Sequence, residues 1–244
     1  MTGTGAENAP LTLDELRDTI LDAALPHVPF DGWTMTALAA GARSRGLKSA
    51  DVLRAFPTGP IDAIAYHSER ADRRMVQALE SQDLAPVKVR DRVALALRTR
   101  FEQNAADREA IRRALSVLSL PQNAPRSARL LYRTVDAVWY ACGDTSTDFN
   151  FYTKRGLLAG VYSATLLYWL NDSSEGSADT WRFLDRRIGD VMRIPKMQPR
   201  LGEALSRLPN PLALRHPSEW LRQGLPRSMR TSYPDRWPPP PQRR

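Results

Sequence analysis

From Gly156 to Leu170 the chain runs without a single charged side chain, and this stretch limits the possible folds more than any other. A bilayer span needs about 20 apolar residues, so the run is too short to cross a membrane. It suits a helix buried on all sides of a soluble domain. Polar residues Asp144, Thr145, Ser146, Thr147 and Asp148 offer N-cap oxygens ahead of it, and Asn171 with Asp172 end it, so the spacing predicts a helix from Asp148 or Phe149 to about Leu170. A second helix follows, capped by Ser177 or Asp179. It turns Trp181, Leu184, Ile188 and Val191 inward, with Arg182, Asp185, Arg186, Arg187 and Asp190 outward.

Two features of this hairpin exceed what core packing needs. Gly156, Gly160 and Ala164 recur every four residues, and each glycine costs a helix about 1 kcal/mol relative to alanine. Such a stripe implies close backbone approach by a partner helix, either an internal neighbour or the second copy in a homodimer. At the start of the helix, Phe149, Phe151 and Tyr152 span too wide an arc for one core to take all three. Either the core wraps tightly there, or an aromatic beside Asp148 stays exposed as a partner-binding anchor.

The 244 residues allow a sizeable core. Residues 1–10 carry neither the basic nor the apolar part of a secretory leader, and the lone Cys142 permits no internal disulfide. A cytoplasmic protein is expected. The net charge of +8 is not spread over the chain. Residues 193–244 hold 11 basic and 3 acidic side chains, leaving 24 of each in the first 192 residues. The excess charge belongs to a tail, and the body is neutral.

Helical periodicity continues along the body, with no alternating strand pattern. Helices are predicted over 11–25, 35–42, 50–55, from Pro60 to about Leu79, over 87–105 and 107–119, and from Arg126 to Cys142, with PHVPFDGW as a turn-rich connector. The first three of these make a helix-turn-helix plan. Between Asp31 and Phe56, however, four basic residues face Asp31 and Asp51, a weak balance for neutralising phosphates. Asp51 would bring a carboxylate to the start of the would-be recognition helix, and no nucleic-acid partner is expected.

Catalytic motifs are missing: there is no Walker or dinucleotide loop, no H-E-x-x-H, and no paired Glu-x-x-His set. His27, His67 and His216 have no metal-ligand spacing. The reading is a binding protein rather than an enzyme, with no cofactor beyond a bound lipid. After Met192, Leu201, Leu205 and Leu208 share one face of a short segment, and Trp220 with Leu221 continues the apolar content among arginines and prolines. A basic, leucine- and tryptophan-bearing segment can settle on an anionic membrane surface, at roughly 1 kcal/mol per basic side chain, or can pack on the body.

The run GDTSTDFNFYTKRGLLAGVYSATLLYWLNDSS with DTWRFLDRRIGDVM resembles the Coq-nine family of ubiquinone-biosynthesis accessory proteins. Leu201-Gly202-Glu203-Ala204-Leu205 resembles the start of that family's C-terminal amphipathic helix, and the segment from Met35 to Phe56 resembles the N-terminal domain of TetR-type repressors. The resemblance implies a TetR-like all-α homodimer without DNA binding. It would hold isoprenoid lipids, including quinone precursors, in an apolar pocket, lean on the membrane by its C-terminal segment, and present lipid to the di-iron hydroxylase Coq-seven. The family's hydroxylase-binding patch falls on Asp148, Phe151 and Tyr152, with Phe151 where relatives carry tryptophan. The tail departs from the pattern, since prolines interrupt it beyond Leu208.

The expected architecture is therefore all-α and TetR-like. Residues 1–10 are disordered, 11–56 form a helix-turn-helix-like unit, 57–194 a lipid-binding and dimerisation bundle, 195–225 an amphipathic membrane segment, and 226–244 a basic proline-rich tail. Leu158, Tyr162, Thr165 and Trp169, on the side of the long helix away from the glycines, are the candidate lipid-lining residues. The expected site is the inner face of the cell membrane. The competing reading is a TetR-type repressor with an apolar effector.

Overall fold

A computed structural model describes residues 11–143 and 149–193. The described part is helical, in the order α1 (Leu13–Ala24), α2 (Val28–Asp31), α3 (Met35–Ser44), α4 (Ser49–Ala55), α5 (Pro60–Glu80), α6 (Val89–Gln103), α7 (Arg108–Leu118), α8 (Ala124–Ala141), α9 (Phe149–Asn171) and α10 (Ala178–Arg193). Asp148 and the expected membrane residues Leu201, Leu205, Leu208, Trp220 and Leu221 lie outside the described residues. Phe151 and Tyr152 have helical backbone, but their side chains also fall outside the description.

Helices α1, α3 and α4 enclose a first core. Leu16, Ile20, Leu21, Leu38, Val52 and Phe56 are among its fully buried apolar side chains. Thr12 and Glu15 cap α1 reciprocally, and Thr34 Oγ1 accepts from the Ala37 N–H to start α3. Gly41 lets α3 close on α1, since a Cβ there would lie 2.6 Å from Ala24 N. The connector expected to be a turn contains α2, which packs on α7; next to it Trp33 donates its indole N–H to Ala110 O over 2.8 Å. Proline at the first turn of α2 leaves helical spacing too short to read from sequence.

The larger core lies among α5, α6, α8, α9 and α10. It includes Met75, Leu97, Phe101, Val138, Leu158, Trp169, Leu184 and Ile188. One expectation fails here: α9 is not buried on all sides. Gly156 and Gly160 are exposed, Leu167 is 58% exposed, and Tyr168 is partly open while stacking on Phe183 of α10 with centroids 4.5 Å apart. No described atom lies within 4 Å of where a Cβ would stand at Gly156 or Gly160. Among the described residues, then, no internal neighbour covers the two glycines, while Ala164 is partly buried. Beyond Lys154 and Arg155 the helix carries no charge, and among the described residues it turns one apolar side into the core and leaves the other open.

The α9–α10 turn also differs from expectation in its caps. Ser177 adopts φ 59° and its hydroxyl accepts from Arg108 Nη2. The first turn of α10 is capped from further back: Ser174 Oγ accepts from Asp179 N, and Asp172 Oδ2 accepts from Thr180 N at 2.8 Å and Thr180 Oγ1 at 2.5 Å. Asp172 Oδ1 accepts from Ser174 N and Oγ. Slight burial works against this carboxylate, but hydrogen bonds from Ser174 and Thr180 outweigh it and hold its pKa well below the ordinary range. A depressed carboxylate pKa stabilises the fold above the unfolded value of about 3.9, and that contribution is lost as pH falls towards the folded value. Asp172→Ala is expected to cost about 1 kcal/mol at pH 7. In denaturant melts its difference from the parent should shrink below about pH 4.

Candidate functional site

Two cavities flank α9. The first, about 370 Å³, lies among α5, α7, α8 and α9, with Arg100 and Asn104 of α6 at one wall. That volume falls in the range of small-molecule sites. Ile64, Ala71, Ile111, Leu115, Leu130 and Leu166 make most of its wall apolar. The helices place these residues by simple periodicity: Ile64 and Ala71 share the inward face of α5, and Ile111 and Leu115 that of α7.

The polar end of this cavity is built on Arg100. Its guanidinium is nearly fully buried and donates from Nε to Asp72 Oδ1 at 2.8 Å, from Nη1 to Tyr162 Oη at 2.9 Å, and from Nη2 to Ser68 Oγ at 3.2 Å and Thr134 Oγ1 at 3.4 Å. Thr134 Oγ1 donates in turn to Asp72 Oδ2 at 3.1 Å. Burial works against the charged guanidinium, yet the Tyr162 oxygen and the Asp72 carboxylate more than offset it, and its pKa stays above the ordinary value. Burial pushes the Tyr162 hydroxyl up, against the pull of Arg100, so it remains protonated at neutral pH. Nearby, His67 Nε2 meets Asp107 Oδ2 at 3.2 Å, which makes the buried histidine a structural partner of the α6–α7 connection.

A second cavity of about 430 Å³ lies at the other end of the larger core. Val89, Val93, Trp139, Leu157, Leu158, Val161 and Ile188 line it, with Arg90, Arg92 and Lys154 among its polar residues. Arg92 is committed to structure, donating to the carbonyls of Val87, Cys142 and Ala85.

The four expected lining residues are therefore divided. Tyr162 faces the first cavity and Leu158 the second. Thr165 and Trp169 line neither: Thr165 Oγ1 donates to Val161 O, and Trp169 packs on Phe101 at 5.2 Å with the Arg108 guanidinium 4.6 Å from its ring centre. Arg100 and Asp72 are absent from the sequence reading, although a signal for each exists. Arg100 continues the inward series Val93, Ala96, Leu97, and Asp72 continues Ser68 towards Met75 and Leu79. A charge on the inward stripe of each of two helices is what an internal ion pair requires. Among the described residues, no group of three His, Cys, Asp or Glu side chains is placed to hold a metal ion.

Family models match two parts of this chain: "Ubiquinone biosynthesis protein COQ9, N-terminal domain" over residues 14–43, and "COQ9" over residues 124–195. In both parts the chain resembles the COQ9 family. Ubiquinone biosynthesis protein COQ9, mitochondrial, of Rattus norvegicus is 41% identical over 202 residues, covering 79% of this chain and 64% of the relative. The Homo sapiens protein of the same name is 39% identical over 202 residues, covering 79% and 63%. The chain thus spans slightly less than two thirds of the length of these COQ9 relatives. A solved TetR transcriptional regulator from Nitrosomonas europaea matches with a TM-score of 0.61 and 21% identity, covering 72% of this chain and 98% of that one. This likeness gives the chain a TetR-like fold.

The ion pair is expected to be costly to break. Arg100→Met leaves the Asp72 carboxylate buried and unpaired and should lower stability by about 3–5 kcal/mol. Arg100→Met with Asp72→Asn should recover most of the loss in chemical denaturation, because the uncompensated charge is then gone.

Proposed function

We propose that this chain is a non-enzymatic, lipid-binding accessory protein of ubiquinone biosynthesis that presents isoprenoid quinone precursors to the di-iron hydroxylase Coq-seven. The observation that carries the proposal is the first cavity: an apolar chamber with one neutralised polar end, in a chain that resembles a family named for this pathway. An isoprenoid tail finds dry walls at Leu115, Leu130 and Leu166, and an oxygenated ring finds hydrogen-bonding groups near Arg100. Titration with a short-tailed isoprenoid quinone is expected to quench tryptophan fluorescence with saturation at one molecule per chain. Leu131→Trp, which puts an indole into the cavity wall, should abolish the saturable phase. Unaltered quenching in that variant would remove the cavity as the site.

The remaining assignments follow from the same reading. Asp148, Phe151 and Tyr152 form the hydroxylase-binding patch at the start of α9. The open stripe of Gly156, Gly160 and Ala164, continued by Leu167 and Tyr168, is the homodimer seam, where a second copy would cover the uncharged outer face of the helix. Leu201, Leu205, Leu208, Trp220 and Leu221 hold the protein peripherally on an anionic membrane surface. No helix among the described residues is long and apolar enough to cross a membrane, and the bound lipid is the only cofactor in this reading.

A repressor would need α4 to meet DNA. Its Asp51 instead accepts the Lys48 backbone N–H at 2.8 Å, and Leu53 stands 56% exposed beside it, which is poor chemistry for a phosphate-lined groove. Phe151→Asp or Tyr152→Asp is expected to weaken hydroxylase binding at least tenfold, about the effect of removing an interface hot spot, with helical circular dichroism unchanged. Pull-down with the purified hydroxylase reads this directly, and loss of helicity would place the aromatics in the core. In liposome co-sedimentation, a chain ending at residue 199 should stay in the supernatant where the full chain pellets.

A further inference from the structure

We propose that the first cavity selects neutral apolar molecules bearing an acceptor oxygen, and that Tyr162 Oη reads that oxygen as the specificity-determining donor. The inference rests on the reading that this cavity binds an apolar ligand, and adds what distinguishes one such ligand from another. Tyr162 lines the cavity and is 7% exposed. Its oxygen accepts from Arg100 Nη1, and no acceptor among the described residues takes its proton. A buried hydroxyl with an undirected proton at the polar end of an apolar chamber is an unfilled donor, and leaving it so costs free energy until a ligand supplies the acceptor.

Three of the other hydroxyls around the cavity are already committed as donors, leaving Ser68 and Ser163 beside Tyr162. Ser127 directs its proton to Leu118 O at 2.6 Å, Ser119 to Ser116 O at 2.8 Å, and Thr134 to Asp72 at 3.1 Å. The Arg100 N–H that enters the Tyr162 oxygen polarises the hydroxyl and strengthens it as a donor. The Arg100 charge itself is compensated by Asp72 at 2.8 Å, so the site offers a strong donor without a net charge. A ketone, quinone carbonyl or ether oxygen matches this, whereas a carboxylate or phosphate would be buried against Asp72 with no spare cation. Face-to-face packing on Phe101, with centroids 5.8 Å apart and planes 10° from parallel, fixes the direction of the tyrosine ring and hence of its donor.

The test compares octanophenone with octylbenzene, molecules of matched shape that differ by one carbonyl oxygen, on the full chain and on Tyr162→Phe. The substitution keeps the ring and its packing and removes only the hydroxyl. The ratio of the two affinities cancels their different partitioning from water. That ratio is expected to fall about tenfold in Tyr162→Phe, as for loss of a hydrogen bond in a dry site, with octylbenzene affinity little changed and some thermal stability lost because Arg100 Nη1 loses its acceptor. Leu131→Trp should lose both ligands, and decanoate should not displace octanophenone at pH 7.5. An unchanged ratio, an equal loss of both ligands in Tyr162→Phe, or displacement by decanoate would overturn the donor assignment while leaving the cavity as an apolar site. If neither ligand binds the parent chain, or both persist in Leu131→Trp, the cavity reading falls with it.

Discussion

The Arg100–Asp72 pair sets the conditions for the rest of the bundle. A charge with so little access to water must be matched inside the protein, and one guanidinium here reaches α5 through Asp72 and Ser68, α8 through Thr134 and α9 through Tyr162. Four helices are thereby held in register around a point where apolar packing alone would allow sliding. A purely hydrophobic replacement could be as stable. It would also let apolar side chains collapse into the space, and the pair keeps a polar wall where a chamber remains open.

The same logic connects the fold to a binding role. The partly open pocket of about 370 Å³ is large enough to receive a small molecule. A lining rich in leucine and isoleucine, with the charge-compensated Arg100 network beside it, suits a ligand that is oily along its length and polar at one end. The likeness to COQ9 proteins, which are named for ubiquinone biosynthesis, is the reason for proposing a quinone-like ligand.

Much of this was legible in the sequence because periodicity reports which way a helix faces. The bounds of α3, α4, α5 and α9 fall within a few residues of expectation, and the inward series Trp181, Leu184, Ile188 and Val191 packs as its spacing implies. Periodicity does not report what covers a face, and so it implies an enclosed α9 although, among the described residues, its glycine side stands open. Nor does it distinguish a residue that fills the core from one that borders a void. Thr165 and Trp169 share the inward side of α9 with Tyr162, yet Tyr162 meets the cavity while Trp169 is packed over by Phe101 and Arg108. The caps of α10 were missed because their acceptors, Asp172 and Ser174, come from the preceding turn rather than from the residue beside the helix.

The central claim is that the chain carries an isoprenoid lipid in its interior. Its most direct test is to purify the protein under native conditions, extract it with organic solvent and identify the released molecules by mass spectrometry, with Leu131→Trp treated in parallel. The account predicts near-stoichiometric isoprenoid quinone or precursor from the parent chain and a strong depletion in the variant. An empty parent chain, or the same lipids in equal amounts from both proteins, would contradict it.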